Sequence, residues 1–466
     1  MGTPVDVNDT LLCKLSRYYS SISFDDIPIE VINKAKRSLA DFLSELAAGF
    51  YVGELAEVIN PYLVDLGGKP ESTLLCVGKK MPAQNAALGM GVMAHAIELD
   101  DGHRWGTSHP AVAIMPAVLA MAEREKSSYG EILLAIVIGY DMMLRAARAI
   151  NPAHLKRGFH STGTCGSLGA AAACAKLLNL DEEKTAYAIS MGGLQSAGLQ
   201  EMLHDHPGVK PLQPGKSASA GVLAADLAKR GAKAPRTLFE GEHGWLKAMC
   251  DSNYSKEALI GDLGTRYEIL YTYTKLYPTC RHCHAAIDLA REAKEVLSCT
   301  PSDIQSLEVR TYRLGIVEVG HIKVPKTLQE AMFSLPFAVA IAFDRGNVTL
   351  QDYTQETLKD PMLISLAEKI QVIEDQKLND LYPEERGAHM KVTLKDGRCF
   401  EKYIPVAKGE PEFPVTDEDL KKKLQAMLSP YYPKAFFEGL WTMTVEGDIE
   451  TRSYEEIIEH FRRYCS

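Results

Sequence analysis

Much of what this sequence could have carried is missing, and each absence removes a class of function. There is no excess of positive charge: 51 Lys and Arg face 61 Asp and Glu, a formal charge of −10. The one run of like charge, Lys421 to Lys423, lies beside Asp417, Glu418 and Asp419 and reads as a solvated helix start. Without a basic face to pair with phosphates, nucleic acid is not an expected partner. Nor is there a long uncharged apolar run. The most apolar long segment, 132–150, contains Asp141, Arg145 and Arg148, and a bilayer would penalise each charge by about 2.5 to 3.5 kcal/mol. That segment reads as a buried helix, and no membrane is expected. The first 24 residues lack the basic start and apolar stretch of a signal peptide, and the 10 cysteines are scattered, which reads as reduced thiols in the cytoplasm. Internal repeats and low-complexity stretches are absent as well.

What is there is a globular chain of 466 residues, long enough that two domains are the expected minimum. From Pro28 to about Leu263 apolar residues recur at three and four residue spacing, as in Val31, Ile32, Ala35, Leu39, Phe42, Leu43 and Leu46. Two stretches of very small residues, 166–175 and 190–198, suit the middle of a bundle, where helix backbones approach closely. After Tyr267 alternating or β-branched patterns appear at 307–314, 369–373 and 390–403, the last with Asp396-Gly397 as a hairpin turn. Helical patterns at 285–297 and 330–343 lie between them, and helical periodicity returns at Asp417, after Gly409, Pro411 and Pro414. The expected fold is mainly α: a large all-helical domain built from both chain ends, 1–266 and 409–466, with an inserted α+β lid domain over 267–408.

Four stretches could carry chemistry. In the first, His95-Ala-Ile-Glu98-Leu-Asp-Asp101, the spacing places His95, Glu98 and Asp101 near one helix face, and His103 and His109 follow on a loop ending at Pro110. The second, Gly158-Phe-His160-Ser-Thr-Gly-Thr-Cys-Gly166, feeds the small-residue helix; His160 would sit at an anion-attracting helix start, unless the segment is a plain N-cap by Ser161 or Thr164. In the third, Lys210 stands in a proline-bearing loop that runs to Lys216 and follows His204 and His206. The fourth crowds Lys275, Cys280, Arg281, His282, Cys283 and His284 into ten residues. Its C-x-x-C raises metal binding, by Cys280, Cys283 and His284. No second C-x-x-C or H-x-x-x-H pair supplies the remaining ligands, so no metal is expected.

Taken in order, His95-Ala-Ile-Glu-Leu-Asp-Asp101, Ser108-His109-Pro110, Gly158-Phe-His160, Lys210-Pro-Leu, Lys275-Leu-Tyr-Pro-Thr-Cys-Arg-His-Cys-His284 and Phe333-Ser-Leu-Pro-Phe337 resemble the MmgE/PrpD family over nearly the whole chain. That family includes 2-methylcitrate dehydratases, cis-aconitate decarboxylase and iminodisuccinate epimerase. The resemblance implies a homodimer without metal or organic cofactor. It implies a lyase of the 2-methylcitrate dehydratase type acting on a small di- or tricarboxylate, with an epimerase or a cis-aconitate decarboxylase as alternatives; from the residues alone, a non-catalytic or zinc-binding helical protein is a distant alternative. Carried over position by position, His109, His160, Lys210 and Lys275 match decarboxylase site residues. Cys280 stands where the decarboxylase has a histidine, Glu98 takes the acidic helix position, and the site tyrosine falls near Val319. His109, His160, Lys210, Lys275 and Cys280 are thus the expected catalytic residues, and Glu98, Asp101, Arg281 and His284 the expected substrate-binding ones.

Overall fold

A computed structural model describes residues 6–465 except His204 and Thr451. Its contacts divide the chain into two compact units, Met1–Thr272 with Leu428–Ser466, and Tyr273–Met427. The first unit's boundaries therefore fall at 272 and 428, so that the helix Asp417–Leu428 closes the second unit instead of opening the return to the first.

The first unit is mainly α. Its helices include Ile29–Val52, Ala83–His95, Ala111–Glu125, Tyr129–Ile150, Ser161–Leu177, Glu182–Leu194 and Leu212–Lys229, and the chain end adds Lys434–Trp441 and Tyr454–Cys465. Ser161–Leu177 occupies the middle, buried throughout except at Lys176, and packs on Ala111–Glu125, Tyr129–Ile150, Glu182–Leu194 and Leu212–Lys229. Its small residues explain this position. A Cβ on Gly169 would stand 2.5 Å from the Gly139 carbonyl oxygen, and one on Gly221 would stand 2.3 Å from the Ala170 Cβ. The charged positions in 132–150 are explained too, because the Arg145 guanidinium pairs with Asp141 at 2.7 Å and donates to the Arg266 carbonyl at 2.8 Å. A buried charge is tolerable when it is paired in this way. Among the described residues, no helix is long and apolar enough to cross a membrane.

Two local expectations change. A short antiparallel pair, Ser72–Leu74 with Lys79–Met81, lies in the segment expected to be all helical. The small-residue stretch 190–198 is helical only to Leu194; beyond it the chain runs alongside 159 and 160, and the Gly198 carbonyl accepts from the His160 backbone.

The second unit is α+β. Its four-stranded sheet has the order Ile370–Glu374, Ile304–Thr311, Ala388–Leu394, Cys399–Ile404; the first pair is parallel and the others antiparallel. Asp396-Gly397 makes the hairpin turn, with Gly397 at φ 91°, a conformation a glycine adopts at little cost. The helix His284–Leu297 packs on the hairpin and on Leu335–Arg345. The helix expected over 330–343 is two, Leu328–Met332 and Leu335–Arg345, because the Ser334 hydroxyl accepts from the Phe337 N–H and starts the second one, with Pro336 in its first turn.

Candidate active site

Each unit holds one cluster of the residues singled out in the sequence. In the first unit the helix Ala83–His95 stops at His95, and Glu98 adopts a left-handed backbone at φ 52°. The helical face expected to carry His95, Glu98 and Asp101 together is therefore not formed. The chain turns instead, and this brings in Asp100, a residue the sequence reading did not select. Its Oδ2 lies 2.9 Å from His95 Nδ1 and 3.0 Å from His109 Nδ1. His109 Nδ1 is also 2.8 Å from the Asp101 carbonyl oxygen. A carbonyl can only accept, so Nδ1 carries the hydrogen and the lone pair of His109 is on Nε2. His95 and Asp100 are wholly buried, whereas the His109 side chain keeps 15% of its surface exposed. Of the three, His109 is the one that reaches open space.

The Asp101 carboxylate faces the protein: Oδ1 accepts from the Ala111 N–H and Oδ2 from the Tyr140 hydroxyl. Burial pushes its pKa up to about 7. Its evident work is to fix the start of the helix that follows His109. Glu98 Oε1 and Lys210 Nζ form a buried ion pair at 2.6 Å. Lys210, read from the sequence as lying in a proline-bearing loop, is buried and sits just before the helix Leu212–Lys229, which also contains Lys216. His204, from the same stretch, lies outside the described residues, and His206 is exposed beside Asp205.

His160 is itself the N-cap residue of Ser161–Leu177, so neither Ser161 nor Thr164 takes that position; the Thr164 hydroxyl pairs with His154 instead. His160 Nδ1 donates to Gln213 Oε1 at 2.7 Å, and Gln213 Nε2 donates to the Leu199 carbonyl, which orients the amide. The lone pair of His160 is thus also on Nε2. Burial first, then the charges of Lys210, His95 and His109, hold its pKa well below the ordinary value. His160 is a neutral acceptor at pH 7.

In the second unit a short 3-10 turn, Arg281–Cys283, leads into His284–Leu297. Arg281 is bound into the protein: Nε pairs with Glu410 at 3.0 Å, and the Nη atoms donate to the Ala407 and Lys408 carbonyls. Arg281 Nη1 also donates to His284 Nδ1 at 2.9 Å. His284 therefore carries its hydrogen on Nε2, which is buried and faces the backbone of Tyr277 and Thr279. Burial, Arg281 and Lys275 hold His284 neutral, with its pKa well below the ordinary value. Lys275 is fully buried. Cys283 is also buried and does not join Cys280 in a metal-ligand group; Cys280 faces Glu318 and His282 instead.

Residues 13–257 match the MmgE/PrpD N-terminal domain and residues 277–437 the MmgE/PrpD C-terminal domain. The chain is similar to a cis-aconitate decarboxylase-like protein of Aspergillus oryzae, 25% identical over 89% of this chain and 90% of that protein. It is similar to cis-aconitate decarboxylase of Homo sapiens, 26% identical over 86% of this chain and 84% of that enzyme. It also matches the mitochondrial 2-methylcitrate dehydratase of Yarrowia lipolytica, 25% identical over 47% of this chain and 44% of that enzyme. With both domain matches in sequence order, the chain belongs to the MmgE/PrpD family.

Proposed function

We propose that this protein is a lyase for a small di- or tricarboxylate, acting as a cytoplasmic homodimer, in which His109 moves a proton next to a substrate carboxylate. The observation that carries the reading is the Asp100–His109 pair, which leaves the lone pair of the exposed histidine on Nε2. Relatives named as a cis-aconitate decarboxylase and a 2-methylcitrate dehydratase support the reaction class.

The residues act as follows. His109 Nε2 removes the proton beside the carboxylate, and Asp100 stabilises the imidazolium that forms. Lys210, steadied by Glu98, binds a carboxylate and stabilises the negative charge that develops on the enediolate. The neutral His160 orients the substrate by accepting a hydrogen bond from it at Nε2. Asp101 and Arg281 hold the framework. In a dehydration the proton on His109 then leaves with the departing hydroxide as water, so the cycle closes with no further reactant. Epimerisation is the alternative outcome from the same intermediate.

The test is a carboxylate panel of citrate, 2-methylcitrate, cis-aconitate and iminodisuccinate, read by melting temperature and followed by proton NMR in deuterium oxide on any compound that binds. The expected result is stabilisation by at least one compound, formation of an alkene product, and loss of that product in His109→Ala. Exchange of a substrate proton without an alkene would move the assignment to an epimerase. If no carboxylate raises the melting temperature, the polycarboxylate reading fails.

A further inference from the structure

In the second unit, three side chains that no step above uses together converge. Glu318 Oε2 lies 3.1 Å from His282 Nε2 and 3.8 Å from Cys280 Sγ, and all three ligand atoms lie within 4.8 Å of one another. From Cys280, His282 and Glu318 we infer a binding site for a thiophilic divalent transition metal, Zn2+ being the natural occupant.

The spacing fits. Tetrahedral Zn2+, with bonds of about 2.0 Å to nitrogen or oxygen and about 2.3 Å to sulfur, sets its ligands about 3.3 Å apart for nitrogen and oxygen, and about 3.5 Å apart for sulfur and oxygen. The two observed separations differ from these by about 0.2 to 0.3 Å. The donor set is selective, because a thiolate beside an imidazole disfavours Mg2+ and Ca2+, which prefer all-oxygen shells. The backbone also holds the donors in place. The turn Arg281–Cys283 fixes Cys280 and His282, with the Cys280 N–H donating to the Met332 carbonyl at 2.9 Å, while Glu318 comes from the helix Arg313–Val319.

The second layer fits as well. His282 Nδ1 is hydrogen-bonded to the hydroxyl of Tyr312, the N-cap residue of that same helix. Without metal, Nε2 donates to the Glu318 carboxylate and Nδ1 accepts from the Tyr312 hydroxyl; a metal would take the Nε2 position, with the hydrogen moved to Nδ1 and donated to the Tyr312 oxygen, the arrangement that holds metal-bound histidines in their tautomer. Three protein ligands leave the fourth position to water. The site differs from the Cys280, Cys283 and His284 set weighed in the sequence in two of its three ligands. Loading it ties the Arg313–Val319 helix to the turn at Cys280.

The experiment is titration of the full chain, purified without chelator, with Co2+ as a spectroscopic stand-in and then with Zn2+ against a chromophoric chelator. One metal per chain is expected, with a thiolate-to-cobalt charge-transfer band that Zn2+ bleaches. Cys280→Ser should abolish the band, Glu318→Gln should weaken binding at least tenfold, and Tyr312→Phe should weaken it about 10- to 100-fold. Cys283→Ser should bind like the parent, and circular dichroism establishes that each variant is folded. Absence of a thiolate band in the parent, or its persistence in folded Cys280→Ser, overturns the site. A band lost in Cys283→Ser would instead restore the C-x-x-C ligand set and refute this one. The readout is metal binding and not turnover, so it stands or falls apart from the proposed reaction.

Discussion

Replacing Asp100 by Asn tests the proton-transfer reading with little change of shape. Both rings use the same oxygen of Asp100, at 2.9 Å from His95 and 3.0 Å from His109. An asparagine can keep its carbonyl oxygen in that place, so both hydrogen bonds can survive while the negative charge is lost. That charge matters when His109 takes a proton and becomes an imidazolium. With charge centres about 4 Å apart and an effective dielectric constant of about 20, the attraction is about 4 kcal/mol. Each 1.36 kcal/mol of barrier is tenfold in rate, and some of the attraction is recovered by reorientation of the amide, so kcat should fall about 10²- to 10³-fold. Substrate binding should change little, because the interaction is gained only as the proton moves. The assay is steady-state turnover of the compound found in the carboxylate panel, with the melting temperature as a check on the fold. If folded Asp100→Asn keeps kcat within tenfold of the parent, Asp100 does not support the base and His109 is not acting as argued.

Two further outcomes concern stability. Burial lowers the pKa of His154 to about 4, so between pH 6.5 and 4 the unfolded chain takes up a proton that the native one refuses, and stability falls as the pH falls. His154→Gln removes this term: between pH 7 and pH 4.5 the parent should lose about 2 to 3 kcal/mol more than the variant in denaturant titrations, and equal losses would contradict it. Gly169→Ala places a methyl 2.5 Å from the Gly139 carbonyl oxygen, and calorimetry should show a destabilisation of about 2 kcal/mol or more; an unchanged melting temperature would show that the helices can separate freely.

The helical class was legible because the apolar stripes repeat at helical spacing over long segments, and the Asp396-Gly397 hairpin because its turn residues are specific. The pair at Ser72–Leu74 and Lys79–Met81 was not, since three residues per strand show no usable alternation. Ser334 hid a helix boundary inside an apolar pattern that runs on either side of it. Among the proposed site residues, His109, His160 and Lys210 in the first unit, and Lys275 in the second, could be named from their motifs, but not their burial, nor which ring nitrogen of the histidines carries the hydrogen. His160 has the sequence of a cationic site histidine and is held neutral by burial and its charged neighbours. Asp100 was missed because the spacing argument assumed that the helix continued past His95. Once the chain turns at Glu98, its neighbour two residues on faces His95, a contact no helical periodicity would place there. Glu318 lies 38 residues from Cys280, and no short motif could join them.

The helix Ser161–Leu177 that begins after His160, rich in glycine and alanine, also bears on precision. Glycine and alanine have no side-chain rotamers, so folding this helix costs little side-chain entropy and leaves little side-chain motion to average over. Its backbone lies so close to its neighbours that a methyl added at Gly169 would stand 2.5 Å from the Gly139 carbonyl oxygen. A core of leucines could drift as its side chains exchange conformations; this one acts as a strut of nearly fixed length. His160, the residue at its end, inherits that small positional noise, which is useful to a group whose contribution depends on placement to within about an ångström.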